Sequence, residues 1–213
     1  MKNSQSGFTL VEIAIVLVII GLLLGGVLKG QELINSAKVK NFANDFRNIP
    51  LFIYGYQDKY KRLPGDDNGA VARFSGATTI DGNGNGAIAG NFNSTTLTDE
   101  SVRFWQHVRL AGLAAGSTDF SSVASAGLPA NADGGRVGIQ MTTPITNMTG
   151  SYFVCSEGVQ GKFAKQLDIS LDDGNTATGS VQVMDQGYSG TAAAPKATAS
   201  VVDGTTYTVC ISF

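Results

Sequence analysis

The first sixty residues of the chain carry two apolar patterns, one after the other. Residues 8–28 are almost continuously apolar. At about 1.5 Å per residue, a helix over this run can cross the hydrocarbon core of a bilayer, which is about 30 Å thick. The second pattern is an apolar stripe with steps of three and four residues, typical of an amphipathic helix. It consists of Phe42, Phe46, Ile49, Ile53, Tyr56 and Tyr60. The patterns predict a transmembrane helix over residues 8–29 that continues as an amphipathic helix over residues 30–63.

The remaining residues, 64–213, predict one globular domain with both helices and strands. A second helix is predicted over residues 98–111, with Thr98 as its cap, and a short helix over residues 162–169. Runs rich in β-branched and aromatic residues predict strands in the second half of the domain. These runs are residues 137–141, 152–155, 181–183 and 207–211. The predicted fold class is α+β, with the long N-terminal helix packed through its stripe on an antiparallel β-sheet.

A short polar segment, residues 1–7, precedes the apolar run and reads as a leader. A secretory signal is cut after its apolar region, beside small residues, and no such site follows this run. Cleavage between Gly7 and Phe8 would instead keep the helix and create an α-amine at Phe8. That amine lies one helical turn before Glu12, whose carboxylate costs roughly 2.5 to 3.5 kcal/mol in hydrocarbon. The amine of the same chain or of a neighbouring copy can neutralise this charge.

Gly7, Phe8 and Glu12, followed by an uninterrupted apolar helix, resemble the prepilin motif of type IV pilins and type II secretion pseudopilins. The resemblance implies cleavage after Gly7 by a prepilin peptidase, N-methylation of Phe8, and alignment of the subunit in a helical filament by Glu12. An ordinary signal anchor is the alternative, but it does not require Gly7 and Glu12 at this spacing. Residues 56–66, residues 100–113 and the turn at residues 172–174 are also similar to a subgroup of bacterial prepilin-type proteins.

The resemblance implies a structural subunit of a type IV pilus or pilus-like filament that polymerises through its N-terminal helix. Its partners would be further copies, other pilins, the prepilin peptidase and a pilus or secretion assembly platform. Two alternatives stay open, a pseudopilin of a type II secretion system and a signal-anchored envelope binding module. Lys2 and the leader amine favour a cytoplasmic N-terminus. We therefore expect an inner-membrane protein with a periplasmic domain, which then enters an extracellular or periplasmic filament.

Catalysis and nucleic-acid binding have little support in the sequence. The single histidine, His107, has no nucleophile or second base near it in sequence, and we interpret it as a surface or packing residue. No P-loop, dinucleotide fingerprint or zinc-ligand spacing is present in the sequence. The net charge is −2 and the basic residues are spread among acids, which does not indicate a nucleic-acid surface. We expect no enzyme and no required cofactor.

The two cysteines, Cys155 and Cys210, lie in two of the predicted strands. In an oxidising compartment they allow one intramolecular pairing, so we expect a disulfide that joins these strands. Each cysteine follows a tyrosine by three positions, Tyr152 and Tyr207. Because side chains alternate along a strand, each cysteine should lie on the opposite face from its tyrosine.

A long connection rich in glycine, asparagine and threonine covers residues 64–98. At its centre Asp81, Asn83 and Asn85, followed by Gly86, match the first six positions of an EF-hand calcium loop. The twelfth position is Phe92, so the bidentate acid would have to come from elsewhere. Three acids are candidates for that role: Asp66, Asp67 and Glu100. A calcium loop and a plain turn that uses asparagine and glycine for positive φ angles are the two interpretations.

Overall fold

The computed structural model describes residues 9–75 and 78–213, which form two units. The first unit, described from residue 9 to residue 38, is the N-terminal part of helix α1, Leu10–Tyr60. Large apolar side chains lie exposed along it, and Leu10 is 91% exposed. Among the described residues, α1 is the one helix that is long and apolar enough to cross a membrane, judged by length and composition.

The second unit, residues 39–213, builds its core on the predicted stripe of α1. Five of the six stripe positions are buried, and Tyr60 at the helix end packs against the core while partly exposed. Burial of apolar surface stabilises the fold by about 25 cal/mol per Å², which explains why the step of three and four residues is kept over this half of the helix. The amphipathic part of α1 is therefore a component of the globular core.

The described residues of the second unit form a four-stranded antiparallel sheet with the strand order β1-β2-β4-β3. Its strands are β1 Val137–Gln140, β2 Phe153–Gln160, β3 Val181–Met184 and β4 Thr206–Ser212. Each strand includes part of one predicted run, and the antiparallel sheet and the α+β class are confirmed. Strand β2 continues five residues beyond its predicted end at Cys155, with an irregular register between Ser156 and Val159.

Two apolar clusters among the described residues cover the two faces of the sheet. The first core contains the stripe of α1 together with Val154 and Val209. The second core contains Phe153, Cys155 and Cys210, which point to the other face because neighbouring strand residues alternate. The sequence predicted packing on the stripe alone. The second core takes residues from β2, β3 and β4, and every position of β1 and β3 is buried, so neither of these two strands has a solvent-facing side.

Among the described residues, three short helices lie between α1 and β1 and a fourth connects β2 to β3, and all four contribute residues to the first core or pack against it. They are α2 Ala70–Phe74, α3 Glu100–Leu110, α4 Val123–Ala126 and α5 Gly161–Leu171, followed by a 3-10 turn, Thr198–Ser200. The N-cap of α3 is Asp99, one residue later than the predicted Thr98. Gly112, with a φ of 75°, follows the end of α3 as expected. Helix α5 contributes Phe163 and Leu167 to the first core.

Candidate functional site

The N-terminus of α1 is held by three reciprocal hydrogen bonds between Thr9 and Glu12. The Thr9 N–H donates to Glu12 Oε2 at 2.8 Å, and the Thr9 hydroxyl donates to the same oxygen at 2.7 Å. In return the Glu12 N–H donates to Thr9 Oγ1 at 3.3 Å. This arrangement is a capping box, which the Thr-x-x-Glu spacing could have indicated from the sequence. Glu12 therefore has a local partner in the single chain, besides the amine partner that the sequence predicts.

The surface around Glu12 is apolar and is not covered by the described residues of the chain. The span of α1 with the highest hydropathy has none of its residues buried. Four glycines interrupt the larger side chains: Gly21, Gly25, Gly26 and Gly30. A Cβ atom at any of them would meet nothing within 4 Å among the described atoms. Since glycine in a helix costs up to about 1 kcal/mol relative to alanine, the fold of the single chain does not explain these residues.

The predicted cleavage and methylation positions, Gly7 and Phe8, lie outside the described residues. Their roles therefore stay predictions. The assembly role of Glu12 also stays a prediction, because the structure describes a single chain.

The loop with the predicted calcium residues wraps around two buried carboxylates. Asp66 accepts the N–H groups of Asn85 and Gly86 at 3.0 and 2.7 Å. Glu100 accepts the N–H groups of Asn83 and Ala89, both at 2.9 Å. Both acids are almost fully buried, and each uses its two oxygens to hold loop backbone. The loop thus converges on two of the acids that the sequence offered as calcium ligands.

The side chains of the predicted calcium residues also accept backbone hydrogen bonds. Asp81 Oδ1 accepts the Val71 N–H at 2.8 Å. Asn83 and Asn85 each accept the N–H of the residue two positions later, at 2.9 Å. Such local turns match the second interpretation of this segment, a plain asparagine and glycine turn. They use the same side-chain oxygens that calcium would need. Calcium binding at Asp81, Asn83 and Asn85 remains an untested prediction.

His107 is buried against the C-terminal part of α1 and lies at the centre of a polar network. Its Nδ1 accepts the Gly65 N–H at 2.9 Å, so its proton is on Nε2, which donates to the Ile80 carbonyl at 2.8 Å. The ring stacks on Tyr56 with centroids 6.1 Å apart. Burial lowers the pKa of His107 and favours the neutral ring. Of the two interpretations of this residue, surface or packing, the structure supports packing.

Next to this ring, Asp67 is a buried carboxylate with three kinds of donor. The Tyr56 hydroxyl donates to it at 2.6 Å, the Gly69 N–H donates at 2.9 Å, and Arg73 forms an ion pair with it. Burial opposes ionisation of Asp67, but these donors and the Arg73 charge outweigh it and lower its pKa. The network fastens the segment after α1 to the helix itself.

The predicted disulfide joins Cys155 in β2 to Cys210 in β4. The two residues are direct partners in the antiparallel register, with their Cα atoms 4.1 Å apart, and both are fully buried. Tyr152 and Tyr207 belong to the first core, whereas the cysteines belong to the second. The pairing and the predicted opposition of cysteine and tyrosine faces are both confirmed.

Comparison with known proteins gives one finding, at the N-terminus. The profile of the family described as the prokaryotic N-terminal methylation motif matches residues 2–28. The matched segment includes Gly7, Phe8 and Glu12 and most of the exposed apolar part of α1. No curated protein and no solved structure matches the chain.

Proposed function

This chain carries the N-terminal methylation motif of the type IV pilin and pseudopilin family, and we propose that it is a structural subunit of a type IV pilus or pilus-like filament. In this proposal a prepilin peptidase removes residues 1–7 and Phe8 is N-methylated. The mature subunit then polymerises with further copies and other pilins through the first half of α1. The globular domain serves as the outer body of the subunit, without a catalytic role.

The observation that carries the proposal is the uncovered apolar half of α1 with an acid near its start. A bilayer covers such a surface before assembly, and neighbouring copies of the same helix cover it in a filament. Glycines that nothing in the single chain requires support the second environment, because small residues let helices approach closely. Glu12 supports it as well, because a carboxylate among apolar helices needs a partner there.

The apolar helix and the motif make the chain a membrane-anchored subunit. We propose that the anchor lies in the inner membrane, with the domain in the periplasm before assembly. A buried disulfide supports this location, because disulfides persist in oxidising compartments. The assembly platform of a pilus or of a secretion system would extract the subunit from the membrane.

A pseudopilin of a type II secretion system shares the same motif and the same helix. Imaging the cell surface with an antibody against residues 64–213 separates the two, because a surface pilus extends beyond the envelope and a secretion pseudopilus does not. Labelled surface filaments are the result we expect from the pilus proposal.

The central test replaces Glu12 in the native host and measures the filaments sheared from the cells. Glu12→Val removes the charge and the acceptor for Thr9, whereas Glu12→Gln keeps an acceptor for Thr9 and removes only the charge. If the charge pairs with the Phe8 amine of a neighbour, both variants insert normally and both lose filament yield by at least about tenfold, the equivalent of 1.4 kcal/mol.

A matched control is Asp58→Asn, which alters an exposed acid in the second half of the same helix that pairs with Lys61. Its filament yield should equal that of the natural protein. Normal assembly of Glu12→Gln together with failure of Glu12→Val would assign Glu12 a capping role only. Normal assembly of both variants would contradict the assembly role of Glu12 altogether.

A further inference from the structure

Three aspartates meet where α5 ends. Asp168 lies in the last turns of the helix and is fully buried, Asp172 follows the helix directly, and Asp173 is exposed. One carboxylate oxygen from each of them lies within 4.8 Å of the other two. The group belongs to the Asp-Asp-Gly turn that connects α5 to strand β3.

Most of the oxygens in this group are accounted for by the turn. Asp168 Oδ1 accepts the Gly174 N–H at 3.0 Å, and Asp172 Oδ2 accepts the Val181 N–H at 2.8 Å. Asp173 accepts the Asn175 N–H at 2.8 Å and the Thr178 hydroxyl at 3.0 Å. These hydrogen bonds explain why acids occur in the turn, and the oxygens that accept them need no additional ligand.

Asp168 Oδ2 is the exception, because it is buried and has no hydrogen-bond partner in the described part of the chain. Buried polar atoms almost always have a partner, and a carboxylate oxygen is among the most unfavourable to leave without one. The turn satisfies only one of the two oxygens of the most buried acid in the group. This oxygen therefore indicates a ligand that the turn itself does not supply.

The electrostatics of the group favour a cation as that ligand. The C-terminal end of a helix carries a partial negative charge from its unpaired carbonyl groups. No basic residue lies in the last turn of α5, although that is where lysine and arginine are usually favourable. None of the ion pairs found among residues 9–75 and 78–213 includes any of the three acids. Three carboxylates thus lie together at the negative end of a helix, and none of them has an ion-pair partner in the described part of the chain.

We propose that Asp168, Asp172 and Asp173 bind a divalent cation, and that the cation is calcium. Calcium accepts carboxylate oxygens in flexible geometry with about six to eight ligands, whereas magnesium demands near-octahedral geometry and keeps most of its water, so a group of three carboxylates from one turn suits calcium better. The ion would pair with Asp168 Oδ2 and join the end of α5 to the loop before β3. This site is separate from the predicted calcium loop at Asp81 and does not depend on the filament proposal.

The test uses the full chain in detergent, first treated with a chelator and then dialysed. Thermal unfolding and titration calorimetry are measured with calcium chloride, with magnesium chloride at the same concentration, and with chelator. For a dissociation constant near about 1 mM, about 10 mM calcium should raise the midpoint by roughly 3 to 6 °C, and magnesium should raise it less. Absence of both a shift and a heat of binding with calcium would overturn the proposal.

Four variants locate the ion. Asp168→Asn and Asp173→Asn should each weaken calcium binding by more than about tenfold, and the second keeps the assay informative because its side chain is exposed. Asp185→Asn, an exposed acid paired with Lys196, is the matched control and should bind calcium like the natural protein. Retained binding in Asp173→Asn, combined with its loss in Asp81→Asn, would place the ion in the other loop and overturn this proposal.

Discussion

The buried His107 ring shows how the fold fixes one protonation state of a single side chain. Its two nitrogens have different partners, a donor at Gly65 and an acceptor at Ile80. A second proton would have to be placed on Nδ1, where it would face the Gly65 N–H. Burial is the largest cause of the lowered pKa of His107, and the positive charge of Arg103 lowers the pKa further. The hydrogen bond to the Ile80 carbonyl and the negative charges of Asp67 and Asp81 raise the pKa but do not outweigh burial. The neutral ring is therefore part of the folded state.

This protonation state predicts a loss of stability at acidic pH. In the unfolded chain His107 has a pKa of about 6.5, and in the folded protein it is lower. Below about pH 6.5 the unfolded chain binds the additional proton, so the free energy of unfolding falls by up to about 1.4 kcal/mol per pH unit. Replacing the ring, as in His107→Gln, should remove this dependence. Urea unfolding at about pH 7.5 and 5.5 measures it.

Asp168 also titrates in the pH range of this experiment, but it changes the free energy of unfolding in the opposite direction. Burial, with added repulsion from Asp173 and Asp172, raises its pKa to about 6 although the Gly174 N–H opposes the shift. Its contribution to stability is therefore fully present below its unfolded pKa of about 3.9 and is lost as pH rises through about 6. Both proteins contain Asp168, so the difference between them isolates His107. An equal pH dependence in the two would contradict the lowered pKa of His107 in the folded protein.

The hydrogen-bonding roles of single residues were predictable only where the partners are close in sequence. The capping box follows from Thr9 and Glu12, which are three positions apart. The role of His107 could not be predicted, since its partners are 42 and 27 positions away. Only the folded segments on both sides of the ring bring those backbone groups to its nitrogens.

Strands β2 and β4 were predicted from the composition of their runs, and in the structure a disulfide joins them. The bond closes a loop with a sequence separation of 55, for which the chain-entropy relation gives about 4 kcal/mol as an upper figure. Cys155→Ala combined with Cys210→Ala should lower the free energy of unfolding by about 2 to 4 kcal/mol. Urea unfolding measures the loss. Thiol counting on the unreduced, denatured protein should find none, and two free thiols would contradict the bond.

The loop over residues 81–89 depends on carboxylates that come from outside it. Asp66 precedes it and Glu100 begins α3, and together they accept four backbone N–H groups. Asp66→Asn would place an amide donor against an N–H group and remove a charge-assisted bond. We expect the free energy of unfolding to fall by about 2 to 3 kcal/mol.

Asp58→Asn is the control for this variant, because the Asp58 side chain is 90% exposed. Its unfolding free energy should change by less than about 0.5 kcal/mol. Equal values for Asp66→Asn and Asp58→Asn would show that the loop does not rely on Asp66.

Elements with a strong period were predictable, and elements held by distant groups were not. The stripe of α1 and the four strand runs follow from the spacing and type of their apolar residues. The loop before α3 has few apolar residues, so its order could not be predicted from hydrophobic pattern. Phe92 illustrates the limit, since it occupies the missing acid position of the calcium pattern and in the structure packs on Tyr188 in the second core.

The two units of the chain differ in how their apolar residues are placed, because one unit buries them and the other leaves them exposed. The second unit buries its apolar residues on both faces of a sheet, around the amphipathic part of α1. The first unit leaves its large apolar residues exposed, and a Cβ added at Gly21, Gly25, Gly26 or Gly30 meets nothing within 4 Å among the described atoms. A segment of this kind needs a covering surface that the rest of the described chain does not provide. Membrane insertion followed by filament assembly would provide one.

Cleavage after Gly7 affects the whole molecule, because it determines whether the full-length chain or the chain without residues 1–7 enters a filament. We expect the protein isolated from the envelope to begin at Phe8 and to carry one methyl group on its α-amine. Gly7→Val should leave residues 1–7 in place, since a larger side chain does not fit a peptidase site built around glycine. Intact-protein mass spectrometry and N-terminal peptide mapping measure both changes.

The matched control for Gly7→Val is Gly21→Ala, a glycine in the same apolar helix where an added Cβ meets nothing among the described atoms. It should be cleaved and methylated like the natural protein, because it lies about three-quarters of the way along the matched residues 2–28 and far from the junction. Processing precedes assembly, so this experiment is informative even in cells that form no filaments. Envelope protein that begins at Met1 or Lys2 would contradict cleavage at Gly7. The helix would then be an ordinary anchor, and Glu12 would have no Phe8 amine to pair with in a neighbouring subunit.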